Sequence, residues 1–390
     1  MKYSKEHTAH RIKAYFERHH EVILNCLDEM VKLETPSRHK ESQHKFFDFL
    51  QMRFSTMDYE CIRVKGRETG GYLYAKPKMR TRGMPIQLLV GHCDTVWDFN
   101  TPDKPKISDL NGKMSGPGIY DMKAGLTQIL FAIKALKDLK VPTKVIPVVL
   151  INSDEEIGSR ETREIIKRIS RLSNRAFVLE PPLGPEGKLK TSRKGIGSFT
   201  IKVKGKAAHA GLDPGKGVNA IVELAHQVQK LHAMNDFQRG ITVNVGMIEG
   251  GQSVNVVAPE SRAVIDVRVA NMEDARKITE QIKGLKPKLK DVELIVEGEI
   301  GRPPMIQTER NRQLWLRAKA NAEILGFAID EANAGGGSDG NFTSQFTATL
   351  DGLGTVGDGA HAAHEFIFKD TIIERTALLT LLLMEEPIVH

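Results

Sequence analysis

The sequence predicts an α/β protein in which helices flank a mixed sheet and the chain carries an inserted α+β domain of ferredoxin-like order. Strands and helices alternate as β-α-β-α-β in the first half, which is typical of a parallel or mixed sheet covered on both faces. From about Gly197 the order changes to β-α-β-β-α-β, the ferredoxin-like arrangement, and a long helical pattern returns near Met305. We expect residues 1–195 and 303–390 to form the first domain and residues 196–302 to form the inserted one.

Apolar runs locate the elements of the first half. The runs PIQLLVG, KVIPVVLIN and RAFVLE predict strands, DMKAGLTQILFAIKALKDL predicts a helix, and a second helix is expected from about Ser159 to Ile169. The N-terminal segment predicts one amphipathic helix, whose core-facing side chains are expected to be Ile12, Tyr15, Phe16, Val22, Ile23 and Leu27.

The inserted domain follows the same reasoning. SFTIKVKG, ITVNVGMIEG, RAVIDVRV and VELIVEG predict strands, and GVNAIVELAHQVQKLHAM and residues 273–283 predict helices. The helix RQLWLRAKANAEILGF then returns the chain to the first domain.

Composition excludes several classes of protein. The 390 residues suffice for two cores, and no apolar run approaches the length of a membrane span. The N-terminal segment lacks the apolar stretch of a secretory signal, so we expect a cytoplasmic protein that does not associate with membranes. Three cysteines are too few for a disulfide framework, and Cys93 is expected to pack as a small hydrophobe. The formal charge of +7 comes from scattered residues, which predicts no nucleic-acid partner and favours attraction of acidic substrates.

Acidic and imidazole residues recur at the polar ends of the apolar runs. Strand ends in largely parallel sheets gather ligands at one edge. Two imidazoles and three carboxylates suit a pair of divalent cations, most often zinc, and a sixth carboxylate suits the general base of a metal-bound water. Each residue alone has the alternative of a turn former or a solvated side chain, and Asp154 to Glu156 could simply cap the following helix. Their combination predicts hydrolysis assisted by two metal ions at His92, Asp121, Glu156, Glu180 and His361, with Glu155 beside them.

The segments that contain these residues resemble the motifs of a known family. HCDTV at 92–96, GPGIYDMKAG at 116–125 and DEEIGS at 154–159 are similar to motifs of the di-zinc exopeptidases and deacylases related to carboxypeptidase G, acetylornithine deacetylase and aminoacylase. GKAAHAG at 205–211, NVVAP at 255–259, DVR at 266–268, GGGSDG at 335–340 and GAH at 359–361 follow in the family's order. The resemblance spans nearly the whole chain and is nearest to the carboxypeptidase G type.

The resemblance implies how the ligands are shared. His92 and Glu180 would hold one ion, Glu156 and His361 the other, and Asp121 would bridge both, with a cis peptide bond to Met122. Asp94 would accept the second N–H of the His92 ring and fix its tautomer. His364 is the alternative to His361. The spacing to Glu365 and Phe366 favours His361. The expected ions are two Zn²⁺ per chain, with Co²⁺ or Mn²⁺ as possible substitutes.

The resemblance also implies the remaining roles. Glu155 would be the general base that activates the metal-bridging water, and the inserted domain would serve as a lid and dimerisation surface. His209 would stabilise the oxyanion, from the neighbouring subunit of a homodimer, although a structural histidine in a glycine-rich turn is the alternative.

Substrate recognition is expected to involve arginine, whose two-pronged guanidinium suits a free α-carboxylate. The candidates are Arg302, Arg268, Asn255, Gly336, Gly337 and Ser338, and an ordinary strand charge is the alternative for Arg268. The predicted reaction is cleavage of an amide or peptide bond next to a free α-carboxylate, on a small peptide. The alternatives are an N-acyl-amino-acid deacylase and a catalytically inactive homologue that only binds its ligand.

Overall fold

The computed structural model describes residues 4–388, which fall into two compact units. The first comprises residues 4–192, Gln307–Ala334 and residues 338–388, and the second comprises Arg193–Ile306 and Gly335–Gly337. The sequence-based limits for the inserted domain were residues 196–302.

The first unit is built on a six-stranded mixed sheet. Its strands are β1 (Tyr59–Val64), β2 (Tyr72–Pro77), β3 (Ile86–His92), β6 (Ile146–Asn152), β7 (Ser173–Val178) and β14 (Ala348–Leu350), in the order β1-β2-β6-β3-β7-β14. β6, β3, β7 and β14 run parallel, whereas β1 and β2 are antiparallel to their neighbours. The central strands β3 and β6 are buried along their whole length, as expected for a parallel sheet covered on both faces.

Helices and small sheets complete this unit. The helices are α1 (Lys5–Arg18), α2 (His20–Lys32), α3 (Lys40–Ser55), α4 (Ala124–Asp138), α5 (Arg163–Leu172), α8 (Glu309–Leu325), α9 (Gly340–Thr343) and α10 (Thr371–Met384). β4 (Ser108–Leu110), β5 (Lys113–Ser115), β15 (Gly357–Asp358) and β16 (Phe366–Phe368) form a second sheet, and β8 (Leu189–Arg193) pairs with β13 (Glu331–Ala334).

The second unit is a four-stranded antiparallel sheet with two helices. β9 (Gly195–Lys204), β10 (Thr242–Gly250), β11 (Glu260–Val269) and β12 (Glu293–Arg302) lie in the order β10-β11-β9-β12, with α6 (Ala220–His232) and α7 (Met272–Lys283). Inward side chains of the strands, such as Phe199 and Ile265, join apolar residues of both helices in a separate core. The predicted α/β class with a ferredoxin-like second domain is confirmed.

Two details of the expected elements were wrong. The N-terminal segment forms two helices that break at His19, and this break changes the helical phase, so Val22 is 52% exposed while Ile23 and Leu27 are buried. The helix expected from about Ser159 begins only at Arg163. The Asp154 side chain accepts hydrogen bonds from the backbone N–H groups of Glu161 and Thr162, which holds the preceding segment as a turn.

The cysteines agree with expectation. Cys26, Cys61 and Cys93 are free, and Cys93 is 1% exposed within the apolar core, where burial raises the pKa of its thiol well above the usual value. Among residues 4–388, no helix combines the length and hydropathy needed to cross a bilayer.

Candidate metal centre

Two groups of possible metal ligands meet at the carboxyl edge of the parallel strands. His92 is the last residue of β3, and its Nε2 lies 3.1 Å from Asp121 Oδ1 and 3.4 Å from Glu180 Oε1. His361 Nε2 lies 3.5 Å from Asp121 Oδ2 and 3.0 Å from Glu156 Oε2. In each group the ligand atoms lie within 4.8 Å of one another, and Asp121 belongs to both groups.

The other candidate ligands lie in turns and loops that follow or precede different elements. Glu180 follows β7, Glu156 lies on the short 3₁₀ turn Glu155–Ile157 after β6, and Asp121 lies in the turn before α4, where its peptide bond to Met122 is cis, as expected. His361 lies in the loop between β15 and β16 with a left-handed φ of 61°. Parallel strands that end together bring residues far apart in sequence to one edge.

The donor set fits two divalent cations. Three carboxylates and two imidazoles converge, and Glu156 Oε1 is buried without a hydrogen-bond partner among residues 4–388. A buried carboxylate oxygen without a donor leaves an unsatisfied negative charge. A metal ion at this position would neutralise that charge and coordinate the oxygen.

The protonation behaviour of these residues reflects the excess of negative charge. Burial, followed by the charge of Asp121, raises the pKa of Glu156 to about 7. Hydrogen bonds with Asp121 and Glu156 raise the pKa of His361 to about 11. Burial would lower the pKa of His92, but hydrogen bonds with Asp121 and two other carboxylates raise it well above its usual value. A cluster that holds protons this firmly without metal has the charge to hold cations.

Asp94 lies against the His92 ring with both its backbone carbonyl and its side chain. His92 Nδ1 lies 2.9 Å from the backbone carbonyl of Asp94 and 3.5 Å from Oδ1 of its side chain. The Asp94 carboxylate also accepts the backbone N–H groups of Glu155 (3.1 Å) and Glu156 (3.2 Å), together with the Ser37 hydroxyl at 2.8 Å. The backbone carbonyl of Asp94 therefore orients the ring most closely, and its side chain holds the turn that carries both glutamates.

Glu365 is a buried carboxylate next to the ligands, and it was named at the sequence level only as a spacing mark. It is 1% exposed, and its oxygens accept four hydrogen bonds from the segment around Asp121 and from Trp97. Burial raises the pKa of Glu365 to about 7. Its place beside the aromatic residue of β16 was visible in the sequence, but the sequence held no signal for this contact.

The two candidate histidines of the last motif differ in their surroundings. His361 belongs to a ligand group, whereas His364 belongs to neither group among residues 4–388. The ring of His364 instead packs near Gly359, where its Cδ2 would lie 2.9 Å from a Cβ added to that glycine.

In the second unit, His209 lies in an exposed turn. Its Nδ1 accepts hydrogen bonds from the backbone N–H groups of Gly211 (3.1 Å) and Leu212 (3.2 Å). In a neutral ring the proton then resides on Nε2, so the free side of the ring is a donor. Asn255 is adjacent, because its backbone carbonyl accepts the N–H of Ala210 at 2.9 Å.

The structure brings some of the substrate-binding candidates together. Gly337 packs against Ile196 and Arg302, and a Cβ at Gly337 would lie 2.6 Å from Ile196 Cδ1 and 3.2 Å from Arg302 Cδ. Arg193 Nη1 donates to the carbonyls of Gly336 at 3.1 Å and Gly337 at 3.0 Å, a contact that sequence reasoning missed. Arginines at strand ends carry no pattern that could have revealed it.

Two other candidates have local partners. Arg268 Nε donates to Asp266 Oδ2 at 2.8 Å, which matches the alternative of a strand charge. Ser338 is fully buried, and its hydroxyl donates to Asp351 at 2.5 Å. Its hydroxyl is therefore engaged within the first unit.

Comparison with known proteins identifies related sequences. Residues 191–289 match the family model of the peptidase dimerisation domain of M20 peptidases. The chain is 28% identical over 371 residues to carboxypeptidase G2 from Pseudomonas sp. (strain RS-16), covering 93% of this chain and 89% of that protein. It is 25% identical to acetylornithine deacetylase from Myxococcus xanthus, covering 78% of this chain and 80% of the relative.

Solved structures share the fold. An M20 family metallo-carboxypeptidase from Sulfolobus solfataricus superposes with a TM-score of 0.76 at 17% identity, covering 93% of this chain and 98% of that one. A dinuclear metal-binding M20 peptidase from Bacillus subtilis gives a TM-score of 0.70 at 15% identity, with 94% and 98% covered. The chain therefore resembles the M20 peptidases over nearly its whole length and is a metal-dependent hydrolase of the peptidase and deacylase type.

Proposed function

We propose that this protein is a carboxypeptidase G-like exopeptidase that hydrolyses an amide or peptide bond next to a free α-carboxylate with two zinc-type ions. The observation that carries the proposal is the pair of candidate ligand groups that share Asp121. Glu155 directly precedes Glu156, a member of the second group, in the chain. His92 and Glu180 would hold one ion, Glu156 and His361 the other, and Asp121 both.

The chemistry divides between the ions and the chain. Two such ions supply Lewis acidity and make water a better nucleophile near neutral pH. Glu155 takes the proton of the attacking water and returns it to the leaving nitrogen as the C–N bond breaks. Asp94 accepts the backbone N–H groups of Glu155 and Glu156, which fixes the turn from which both side chains extend.

The second unit offers groups for the substrate. Arg302 has the guanidinium geometry that suits an α-carboxylate, and Arg193 holds the adjacent carbonyls of Gly336 and Gly337. The Nε2–H of His209 suits an oxyanion, which needs preorganised donors. These roles are proposed on the chemistry of the groups.

A deacylase is the second candidate, since the relatives include acetylornithine deacetylase and succinyl-diaminopimelate desuccinylase. Both reactions need the same ions, base and carboxylate grip. The experiment is a comparison of kcat/KM for N-blocked dipeptides and for N-acyl amino acids, each with a free and an amidated carboxylate. If the protein is an exopeptidase, we expect N-blocked dipeptides with a free carboxylate to have the highest kcat/KM. Preference for the N-acyl series would favour the deacylase, and no turnover by the metal-loaded protein would favour an inactive homologue.

We also propose that the second unit forms a homodimer through β10 and α6. β10 lies at one edge of the four-stranded sheet, and the matched dimerisation domain includes both elements. Met247 and Ile248 of β10 are each 58% exposed, and Ile221 and Val222 of α6 are 44% and 43% exposed. An exposed strand edge with apolar neighbours favours pairing with another chain.

A further inference from the structure

Glu365 holds the segment that carries the shared ligand Asp121. Its Oε1 accepts the backbone N–H of Tyr120 at 2.9 Å and of Asp121 at 3.1 Å. Its Oε2 accepts the N–H of Gly118 and the indole N–H of Trp97, each at 3.1 Å. Three of these hydrogen bonds come from backbone N–H groups of one turn, so this carboxyl group restrains Gly118, Tyr120 and Asp121 together.

The same residue also belongs to the segment that carries His361. The backbone N–H of Glu365 donates to the carbonyl of Ala362 at 3.0 Å, and Ala362 N–H donates to Gly359 at 2.8 Å. The next residue, Phe366, begins β16 and pairs with Ser115 of β5. One buried side chain therefore joins two loops that otherwise approach the ligand cluster from distant parts of the chain.

We infer that Glu365 is a positioning residue that sets Asp121 relative to His361, and thereby the affinity for the ion that Asp121, Glu156 and His361 would share. The inference rests on the two-metal site proposed above. A shared carboxylate must reach both ions at once, so a small displacement of its backbone weakens the site. Residues that orient metal ligands typically contribute about 10–100-fold to metal affinity.

The test is a Glu365→Gln variant of the full-length, metal-loaded protein. The amide keeps the volume but directs an NH₂ group at one pair of donors, so two of the four hydrogen bonds are lost. The protein is dialysed against zinc buffers of defined free Zn²⁺, and bound zinc per chain is measured by elemental analysis. We assign the more weakly bound ion to the site of Asp121, Glu156 and His361. We expect the free Zn²⁺ concentration needed for half-occupancy by this weaker ion to rise by about 10–100-fold. We expect the stronger ion to stay bound.

Two further variants keep the test specific. Glu223→Gln is the matched control, because Glu223 is also fully buried and its carboxylate accepts backbone N–H groups of Lys288 and Leu289 in the second unit. We expect it to leave zinc binding unchanged. Trp97→Phe removes one donor and keeps the carboxylate, so it should shift the weaker ion less than Glu365→Gln does. In the cobalt-substituted protein, Glu365→Gln should alter the visible absorption of the weaker ion, because ligand geometry sets those bands.

The outcomes separate this inference from the proposed site. A folded Glu365→Gln protein, judged by circular dichroism, that gives the wild-type zinc isotherm and cobalt spectrum would overturn the positioning role alone. An equal shift in Glu223→Gln would also overturn it, because general destabilisation would then explain the loss. Wild-type protein that binds no zinc would instead overturn the two-metal site.

Discussion

Glu155 and Glu156 are neighbours in the chain, yet their proposed roles differ. Glu156 is a ligand candidate whose Oε2 lies 3.0 Å from His361 Nε2, whereas Glu155 belongs to neither ligand group among residues 4–388. Both backbone N–H groups bond to Asp94. A short 3₁₀ turn points successive side chains in different directions, which allows one to bind an ion and the other to move a proton.

The first prediction tests the general base. Glu155→Gln keeps the size of the side chain and removes its basicity, so turnover should fall by roughly 10²–10⁴ while both ions remain bound. Steady-state kinetics and elemental analysis of the same sample measure the two effects. Glu164→Gln, on the exposed face of α5, is the control. Near-normal turnover in Glu155→Gln would show that another group moves the proton.

The second prediction concerns His209, whose Nδ1 is engaged by the backbone of its own turn. His209→Ala should lower kcat by roughly 10²–10³, the usual effect of losing an oxyanion donor, with metal content unchanged. The exposed His232→Ala is the control. If His209 serves the neighbouring subunit, mixing this variant with Glu155→Gln under subunit exchange should restore part of the activity. Unchanged kcat in His209→Ala would remove the residue from the mechanism.

At the scale of elements, the C-terminal end of α10 depends on a buried arginine from β7. Arg175 is fully buried, and it donates to Gln87 Oε1 at 2.8 Å and to the carbonyls of Glu386 at 2.6 Å and Glu385 at 2.7 Å. Gln87 in turn donates to the carbonyl of Leu383 at 2.8 Å. The last carbonyls of a helix have no partner within it, and Gln87 satisfies that of Leu383. Arg175 satisfies the carbonyls of Glu385 and Glu386, which directly follow α10.

The third prediction follows from this contact. Arg175→Met fills a similar volume but removes the donor to Gln87 Oε1 and to the Glu385 carbonyl, whereas the Glu386 carbonyl also accepts from Arg317. A buried polar group left without a partner costs about 1–3 kcal/mol. We expect a loss of about 2–5 kcal/mol in the free energy of unfolding, measured by urea denaturation. Arg312→Met, at an exposed side chain of α8, should stay within about 0.5 kcal/mol. A similar urea midpoint for both variants would show that the segment at the end of α10 does not depend on Arg175.

At the scale of the whole molecule, the ligands come from segments spread between residues 92 and 361 of the first unit. The fourth prediction is that chelation abolishes hydrolysis and that two equivalents of Zn²⁺ per chain restore it, with Co²⁺ or Mn²⁺ as partial substitutes. Because bound ions stabilise only the folded state, removal should also lower the unfolding temperature. Full activity in chelator, with no metal found by elemental analysis, would refute the proposed mechanism.

The fifth prediction addresses the proposed dimer. Met247→Glu puts a charge on the apolar part of β10 and should convert a dimer into a monomer, measured by analytical ultracentrifugation. Met52→Glu is the matched control, since Met52 of α3 is 61% exposed and Met247 is 58% exposed. A Met247→Glu protein that remains dimeric would place the interface elsewhere.

Much of the candidate site was predictable because most of its candidate ligands lie at or shortly after the ends of strands. The apolar runs predicted β3, β6 and β7. Because parallel strands end at one edge of a sheet, the acidic or imidazole residue at the end of each run could be predicted to lie at that edge. The family motifs added the expectation that Asp121 is shared, and Asp121 belongs to both candidate ligand groups. The α/β class and the ferredoxin-like order of the second unit followed from periodicity alone.

Sequence by itself therefore determined most of the elements, the fold class and the residue types of the candidate metal centre. Tertiary structure decided that α1 and α2 break at His19, that the Asp94 carboxylate holds the turn of Glu155 and that Ser338 is engaged by Asp351. It alone revealed Glu365, whose carboxylate bonds to Gly118, 247 residues away. The physical reason is the distance along the chain between the interacting residues. Periodicity reports which face of an element is buried, whereas a buried hydrogen bond between distant segments exists only after the elements have packed.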